Sequence, residues 1–256
     1  MLKLPPPARR HALTHRPPSL LLDVEGMTFS RGTGNQRFTV EVPALKLRPG
    51  ELVAITGRSG SGKSTVLELL GLLSAPHRHG RFLWRGHGRN IDLGKLWNRR
   101  AHGALAEIRG TSMGFVLQTH GLLPFLTVAG NLALIRRSLG LPPRDAHLDA
   151  MIERLEIGGK LHKKPHELSV GEQQRASIVR ALAHRPALVL ADEPTSALDP
   201  GLGDRVMDLL LAQAKEHGIA VLIATHEVDR VAQLGLRTVS GTDQKPATGF
   251  AWRFAD

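Results

Sequence analysis

The sequence has no cysteine and no tyrosine, and aromatic residues make up only 4% of its 256 positions. The absence of thiols excludes disulfide bonds and thiolate metal sites, which agrees with a reducing compartment. No apolar run approaches the roughly eighteen residues that a membrane-spanning helix requires. We therefore expect a globular chain with a substantial core that does not cross a bilayer by itself.

Acidic residues are outnumbered, since 34 Lys and Arg face 23 Asp and Glu for a net charge of +11. Such an excess is typical of proteins with a polyanionic neighbour, such as nucleic acid or anionic lipid, but it also fits a solvated basic surface. The arginines are spread along the whole chain, and no basic stripe is interleaved with aromatic residues. We favour the solvated surface and expect no stable nucleic-acid partner.

Residues 1–19 are rich in Pro, Arg and His and contain no apolar segment of the kind found in a secretory signal. Their prolines would break an amphipathic targeting helix, so we expect a disordered basic arm. We assign residues 20–240 to a single domain, with a helical subdomain at about 119–170. Residues 241–256 carry no clear regular pattern and are expected to form a short tail.

The most specific motif is a run that fits G-x-x-x-x-G-K-[ST] without a mismatch and is followed by a threonine. An apolar stretch at residues 51–56 precedes it and predicts a buried strand, and leucines at helical spacing follow it. The segment therefore predicts a phosphate-binding loop between a strand and a helix. Its residues are Gly57, Arg58, Ser59, Gly60, Ser61, Gly62, Lys63, Ser64 and Thr65.

The residue types in this loop match the chemistry of a nucleotide triphosphate. Glycines allow the backbone to curl around phosphate oxygens, and the helix N-terminus adds partial positive charge. Lys63 can reach the β- and γ-phosphates, and the Ser64 hydroxyl is placed to bind the Mg²⁺ ion that bridges them.

The rest of the pattern predicts an α/β fold with a mostly parallel sheet. Residues 20–47 alternate apolar and polar side chains, as antiparallel strands do, and are expected to form a hairpin. Two apolar runs, residues 187–191 and 219–225, predict central parallel strands with helices as crossovers.

Two carboxylates, Asp192 and Glu193, follow the first of these runs. A carboxylate at the end of a buried strand requires a cation or hydrogen bonds, and Mg²⁺ is the obvious cation beside a phosphate loop. We expect Asp192 to hold the metal and Glu193 to polarise the attacking water. An acidic strand end facing solvent is the simpler alternative for this segment alone.

A third motif, LSVGEQQR at residues 168–175, places Ser169 and Gly171 at a predicted helix N-terminus, a second potential anion site. An N-cap alone would explain Ser169 but not the whole motif. The motif resembles the signature of the ATP-binding subunits of ABC transporters, and the resemblance extends from residue 20 to about residue 240. It implies a RecA-like P-loop NTPase core with an N-terminal antiparallel β subdomain and an inserted α-helical subdomain.

The resemblance also implies roles for individual residues, with ATP and Mg²⁺ as the bound groups. Gln118 of the Q-loop would touch the Mg²⁺ and the attacking water, and His226 of the switch would contact the γ-phosphate. Residues 196–199 correspond to the D-loop. Phe29 stands where the family commonly has the adenine-stacking tyrosine, with Phe38 as a weaker candidate. Val170 replaces a glycine that many signatures have.

The same resemblance predicts the assembly. In the family the phosphate loop and the signature face different nucleotides, so each ATP would lie between two copies in a head-to-tail homodimer. The helical subdomain would dock to an integral-membrane permease at the cytoplasmic face of the cell membrane, with residues 122–127 as the candidate contact or, alternatively, part of the subdomain core. The motifs look most similar to the lipoprotein-release, macrolide-export and cell-division branch.

Two other functions are compatible with parts of the sequence. A soluble ABC ATPase acting on nucleic acid or ribosomes is favoured by the basic charge, but the chain has neither a coiled-coil insertion nor a second cassette. A small-molecule kinase with the same phosphate loop would lack the signature motif and the closing His226.

Overall fold

The computed structural model describes residues 20–119, 121–244 and 249–255. The predicted arm at residues 1–19 lies outside the described residues. The strands of the described part are β1 Leu22–Arg31, β2 Phe38–Leu47, β3 Leu52–Thr56, β4 Phe82–Trp84, β5 Ile91–Asp92, β6 Met113–Val116, β7 Leu188–Asp192, β8 Ala220–Thr225, β9 Arg237–Asp243 and β10 Phe250–Ala255. The helices are α1 Lys63–Leu70, α2 Leu93–Asn98, α3 His102–Ser112, α4 Val128–Ser138, α5 Ala146–Arg154, α6 Val170–Leu182, α7 Pro200–His217 and α8 Val228–Gln233.

All these strands join one mixed sheet in the order β5-β4-β1-β2-β10-β9-β3-β8-β7-β6. Neighbouring strands run parallel from β9 through β3, β8 and β7 to β6. At the other end β1 pairs antiparallel with both β2 and β4. The structure thus confirms the predicted α/β class, with a parallel core and an antiparallel N-terminal part.

The central strands are apolar throughout because helices cover both faces of the sheet. In β7, Leu188 and Leu190 belong to one hydrophobic cluster, whereas Val189 and Ala191 belong to the other. Helix α1 packs against β7 and β8 on one face, and α7 packs against β8 on the other. This explains why the two predicted parallel strands appear in the sequence as unbroken apolar runs rather than as alternating patterns.

The inserted segment is helical, as expected, and its helices α4 and α5 pack against α6. Its inner face is formed by Val128, Leu132, Leu148 and Met151, which are all buried. The N-caps of these helices are Thr127 and Asp145, whose side chains accept hydrogen bonds from backbone N–H groups in the first turn. The segment therefore forms a small subdomain whose base is α6, the helix that begins within the signature motif.

Helices α2 and α3 are separated by a turn in which Arg100 has a positive φ of 53°. One local expectation differs from the structure. The C-terminal tail, in which no regular pattern was expected, contains β10, inserted between β2 and β9. The burial of β10 is irregular, since only Ala251 and Phe254 are buried, and so its sequence carries no strict alternation.

None of the helices among the described residues is long and apolar enough to cross a membrane.

Candidate nucleotide-binding site

The predicted phosphate loop joins β3 to α1, with Gly62 as the N-cap of the helix and its last three residues in the first helical turn. Three of its glycines, Gly57, Gly60 and Gly62, have positive φ angles of 156°, 77° and 98°. At Gly62 a Cβ atom would lie 2.6 Å from Val40 Cγ2 and 2.9 Å from Phe38 Cζ, which real Cβ atoms do not tolerate. Strand β2 therefore packs so closely on the loop that only glycine fits at this position.

Lys63 is buried, and its ammonium group donates hydrogen bonds to the Gly57 carbonyl at 2.9 Å and to the Arg58 carbonyl at 3.3 Å. Its charge has no carboxylate partner among the ion pairs of the described residues. A cation that is held only by carbonyls of its own loop is prepared to bind an anion. The loop thus fits phosphate both in its backbone conformation and in its charge.

A cavity of about 260 Å³ opens above the loop and collects residues from four separate parts of the chain. Gln118, Asp192 and Glu193, three of the predicted site residues, line it together with the phosphate loop. Its remaining lining residues are Arg31, Phe38, Ser59, Gly60, Gly62, Lys63, Ser64 and Thr65. A hydroxyl, an amide and a carboxylate (Ser64, Gln118 and Asp192) therefore face one space, and such oxygen ligands suit Mg²⁺.

The aromatic residue at this cavity is Phe38, not Phe29. Phe29 makes an edge contact with His77, with ring centroids 5.3 Å apart, and packs against the hydrophobic core. Phe38 lines the cavity, and the Arg31 guanidinium lies over its ring at 5.2 Å from the centroid. Arg31 was not recognised from the sequence, although the hairpin register that pairs it with Phe38 could have indicated it.

Glu193 and His226 meet at the carboxyl ends of adjacent strands β7 and β8. The distance between His226 Nδ1 and a Glu193 carboxylate oxygen is 2.9 Å. The Glu193 side chain is only 14% exposed, whereas that of His226 is 65% exposed. Glu193 also has a positive φ of 50°, a strained conformation that is common at functional sites. The two predicted catalytic groups therefore form a hydrogen-bonded pair.

The signature residues lie apart from this cavity, and neither Ser169 nor Gly171 lines it. Ser169 is the N-cap of α6 and forms a capping box with Glu172. Hydrogen bonds from Lys160 and from the backbone N–H of Ser169 lower the pKa of Glu172 to about 2. Ser169 and Val170 are exposed at the protein surface, so this helix N-terminus is open to a second molecule.

A separate groove of about 540 Å³ runs between the sheet edge and the helical subdomain. It is largely apolar, with Leu73, Leu117 and Leu134 among its exposed lining residues. Of the predicted contact residues 122–127, only Leu123 lines it, while Phe125 points outward with 69% of its surface exposed. The Asn131 side chain holds residues 122–127 against α4, because it accepts a hydrogen bond from the Leu123 N–H and donates one to the Leu123 carbonyl. The sequence did not indicate this role.

Comparison with known proteins agrees with this geometry. The sequence profile of the family described as "ABC transporter" matches residues 40–196, more than half of the chain. The chain belongs to this family and is an ABC-type ATPase.

Among its relatives is the lipoprotein-releasing system ATP-binding protein LolD of Aquifex aeolicus, which is 41% identical over 79% of this chain and 86% of that protein. The macrolide export ATP-binding/permease protein MacB 2 of Aeromonas hydrophila is 37% identical over 82% of this chain, but over only 31% of that longer protein. The dimeric structure of MJ0796, a bacterial ABC transporter cassette, has a TM-score of 0.72 and 31% identity, covering 86% of this chain and 93% of that one. The same cassette has also been solved as a dimer in a post-hydrolysis state bound to ADP and Pi, with a TM-score of 0.69 and 30% identity over 86% of this chain and 93% of that one.

Proposed function

We propose that this protein hydrolyses Mg-ATP at sites shared by two copies of the chain and thereby drives a separate membrane permease. The observation that carries the proposal is the cavity where Lys63, Asp192 and Glu193 converge, with His226 bonded to Glu193. The relatives described above, LolD and MacB, are ATP-binding proteins of transport systems. This similarity favours a function in transport over an action on nucleic acid.

The chemistry follows from the positions of these groups. Lys63 exchanges its two carbonyl partners for phosphate oxygens, which strengthens its hydrogen bonds because both partners are then charged. Glu193 accepts the proton of the attacking water, and the bond from His226 holds its carboxylate in one orientation. Ser64, Gln118 and Asp192 would hold a Mg²⁺ ion, which supplies positive charge that offsets the charge developing on the phosphates.

The separation of Ser169 and Gly171 from the cavity supports a shared site. Ser169 lies at an exposed helix N-terminus, which favours the binding of an anion that another copy presents. MJ0796, whose fold this chain shares, has been solved as a dimer. We therefore infer a head-to-tail homodimer in which ATP forms part of the interface.

The apolar groove beside the helical subdomain supports the docking of a permease. Its exposed leucines form an apolar surface of the kind that marks protein interaction sites. Leu123 contributes to this groove directly, and the exposed Phe125 extends the predicted contact beyond it. Since the LolD relatives belong to lipoprotein-releasing systems, we propose a permease of that type and a location at the cytoplasmic membrane face.

The proposal is tested with the Glu193→Gln variant, which keeps the size of the side chain but removes the base. We expect it to bind Mg-ATP, to lose nearly all turnover and to accumulate as a dimer, as measured by ATPase assay and by light scattering after size-exclusion chromatography. Co-purification of this variant from detergent-solubilised membranes with Mg-ATP should recover a multi-spanning membrane protein. Parental hydrolysis by the variant would remove Glu193 from its role, and recovery of ribosomes or DNA without a membrane protein would refute the transport proposal.

A further inference from the structure

Next to the proposed catalytic pair lies a polar network that connects the loop after β7 with the loop after β8. Its centre is Glu227, the residue that follows His226. One carboxylate oxygen of Glu227 accepts a hydrogen bond from the Thr195 hydroxyl at 3.1 Å and another from the Arg230 guanidinium at 2.8 Å. The Glu227 backbone N–H donates to the Thr225 hydroxyl at 3.0 Å.

These bonds complete a ring that includes the proposed base. Thr195 follows Glu193 by two residues, in a turn where the backbone N–H of Ser196 donates to the Glu193 carbonyl. Glu227 is covalently joined to His226, whose ring contacts the Glu193 carboxylate. The bond between Thr195 and Glu227 therefore closes a ring that joins the backbone near Glu193 to the backbone at His226.

Arg230 connects Glu227, a member of this ring, to helix α7. Its guanidinium also pairs with Asp204 of α7 at 3.2 Å, and its side chain is only 22% exposed. At Gly203 a Cβ atom would lie 3.0 Å from a guanidinium nitrogen, so the missing side chain makes room for the arginine. Without Arg230, the Glu227 side chain, which is 30% exposed, could turn to water and leave the buried Thr195 hydroxyl without its partner.

We propose that Arg230 is a positioning residue for ATP hydrolysis, which acts by clamping Glu227 so that Thr195 and His226 hold Glu193 in its working orientation. The inference rests on the proposed role of Glu193 as the base. Arg230 contacts neither the cavity nor the phosphate loop, so its effect belongs to turnover and not to nucleotide binding.

The test measures kcat and KM for Mg-ATP in Arg230→Met, Thr195→Val and the double variant. We expect each single substitution to lower kcat about 10-fold, equivalent to about 1.4 kcal/mol, with KM changed less than 2-fold. The double variant should also be about 10-fold slower, because both changes act through Glu227, whereas independent effects would multiply to about 100-fold.

Conservative variants and a matched control separate positioning from general stability. Thr195→Ser keeps the hydroxyl and should retain parental kcat, and Arg230→Lys, which can pair with one carboxylate at a time, should recover part of it. The control is Arg205→Met, because Arg205 forms an ion pair with Glu156 in which both side chains are exposed. We expect its kcat to be unchanged.

Parental kcat in Arg230→Met would overturn the inference, and so would effects that multiply in the double variant. Equal losses of kcat and of nucleotide affinity, with a lowered melting temperature, would reduce Arg230 to a structural role. Glu193→Gln is assayed in parallel. If it still hydrolyses ATP, the proposed function fails; if it is inactive while Arg230→Met keeps parental kcat, only the present inference fails.

Discussion

At the scale of single residues, the structure distinguishes groups that the sequence treats alike. Two phenylalanines, Phe29 and Phe38, lie on neighbouring antiparallel strands, and either could stack on a base. Only Phe38 lines the cavity, where Arg31 covers its ring. The role of Phe29 as the adenine-stacking residue stays a prediction, and the geometry makes the two residues separable by experiment.

The first prediction compares Phe29→Ala with Phe38→Ala. If the base stacks on Phe38, its substitution should weaken ATP binding about 2- to 10-fold, because aromatic stacking contributes about 0.5–1.5 kcal/mol. Phe29→Ala should then change affinity by less than 2-fold while it lowers stability through its lost packing. Fluorescence titration with a labelled ATP analogue measures both affinities, and a larger loss in Phe29→Ala would restore the assignment made from the sequence.

The second prediction concerns His184, which is 7% exposed and lines the apolar groove. Burial, which disfavours the charged form, lowers the pKa of His184 to about 4. The unfolded chain, with a histidine pKa near 6.5, therefore binds a proton that the folded protein does not accept until about pH 4. His184 therefore leaves the free energy of unfolding unchanged above about pH 6.5 and lowers it as the pH drops from about 6.5 to about 4.

Substitution of His184 by Gln should reduce this acid destabilisation by about 2–3 kcal/mol. The measurement is the free energy of unfolding in urea at several pH values between 7 and 4.5. His166→Gln, a substitution at an exposed position, is the matched control. An unchanged profile in His184→Gln would show that folding does not lower the pKa of this histidine.

At the scale of elements, one buried cation secures the helical subdomain to the helix that carries the signature. Arg136 in α4 is 1% exposed and donates hydrogen bonds to the Pro142 carbonyl at 2.6 Å and the Ala183 carbonyl at 2.5 Å. It also pairs with Asp145, the N-cap of α5, at 2.8 Å. A single side chain thus connects α4, α5 and the end of α6.

The third prediction is that Arg136→Met lowers the free energy of unfolding by about 2–4 kcal/mol. The loss has two parts, the unsatisfied carbonyls and the unpaired Asp145. Urea unfolding measures it, and Arg137→Met, which changes the exposed neighbour in the same helix, is the control and should stay within about 0.5 kcal/mol of the parent. A similar small effect at both positions would mean that the subdomain is held by its apolar contacts alone.

Helices and strands were predictable where the apolar residues recur at a regular spacing and the flanking segments support the same assignment. The phosphate loop, β7, β8 and the helical subdomain all have such patterns. Strand β10 does not, because its pairing with β2 depends on hydrogen bonds to residues far away in the sequence. Gly249 illustrates this, since a Cβ there would lie 2.2 Å from the Arg37 carbonyl oxygen, a contact that no local pattern reveals.

At the scale of the whole molecule, the proposed active site is incomplete in one chain. The fourth prediction is therefore that Ser169→Arg leaves ATP binding by the monomer intact but abolishes both ATP-dependent dimerisation and hydrolysis. The bulky side chain changes the surface that faces the partner's nucleotide and leaves the phosphate loop as it is. ATP binding is measured by titration, dimerisation by light scattering and turnover by phosphate release.

Mixing this variant with Lys63→Ala gives a further check. Lys63→Ala should lose ATP affinity, so each variant alone is inactive. A mixed dimer contains one intact site, built from the Lys63 of one copy and the Ser169 of the other, and should regain a measurable fraction of parental turnover. Parental hydrolysis by Ser169→Arg alone would argue against a site shared between copies.

The sequence by itself determined the chemistry of this protein, because the phosphate loop, the Asp192-Glu193 pair and the signature are short motifs whose function depends on local backbone and residue type. It also determined the α/β class, since buried parallel strands require long apolar runs. Only the tertiary structure decided which aromatic residue lines the cavity, where the last strand enters the sheet, and that Thr195, Glu227 and Arg230 form a polar network beside the proposed catalytic pair. These features depend on contacts between residues tens of positions apart, which chain folding brings together and local sequence patterns do not record.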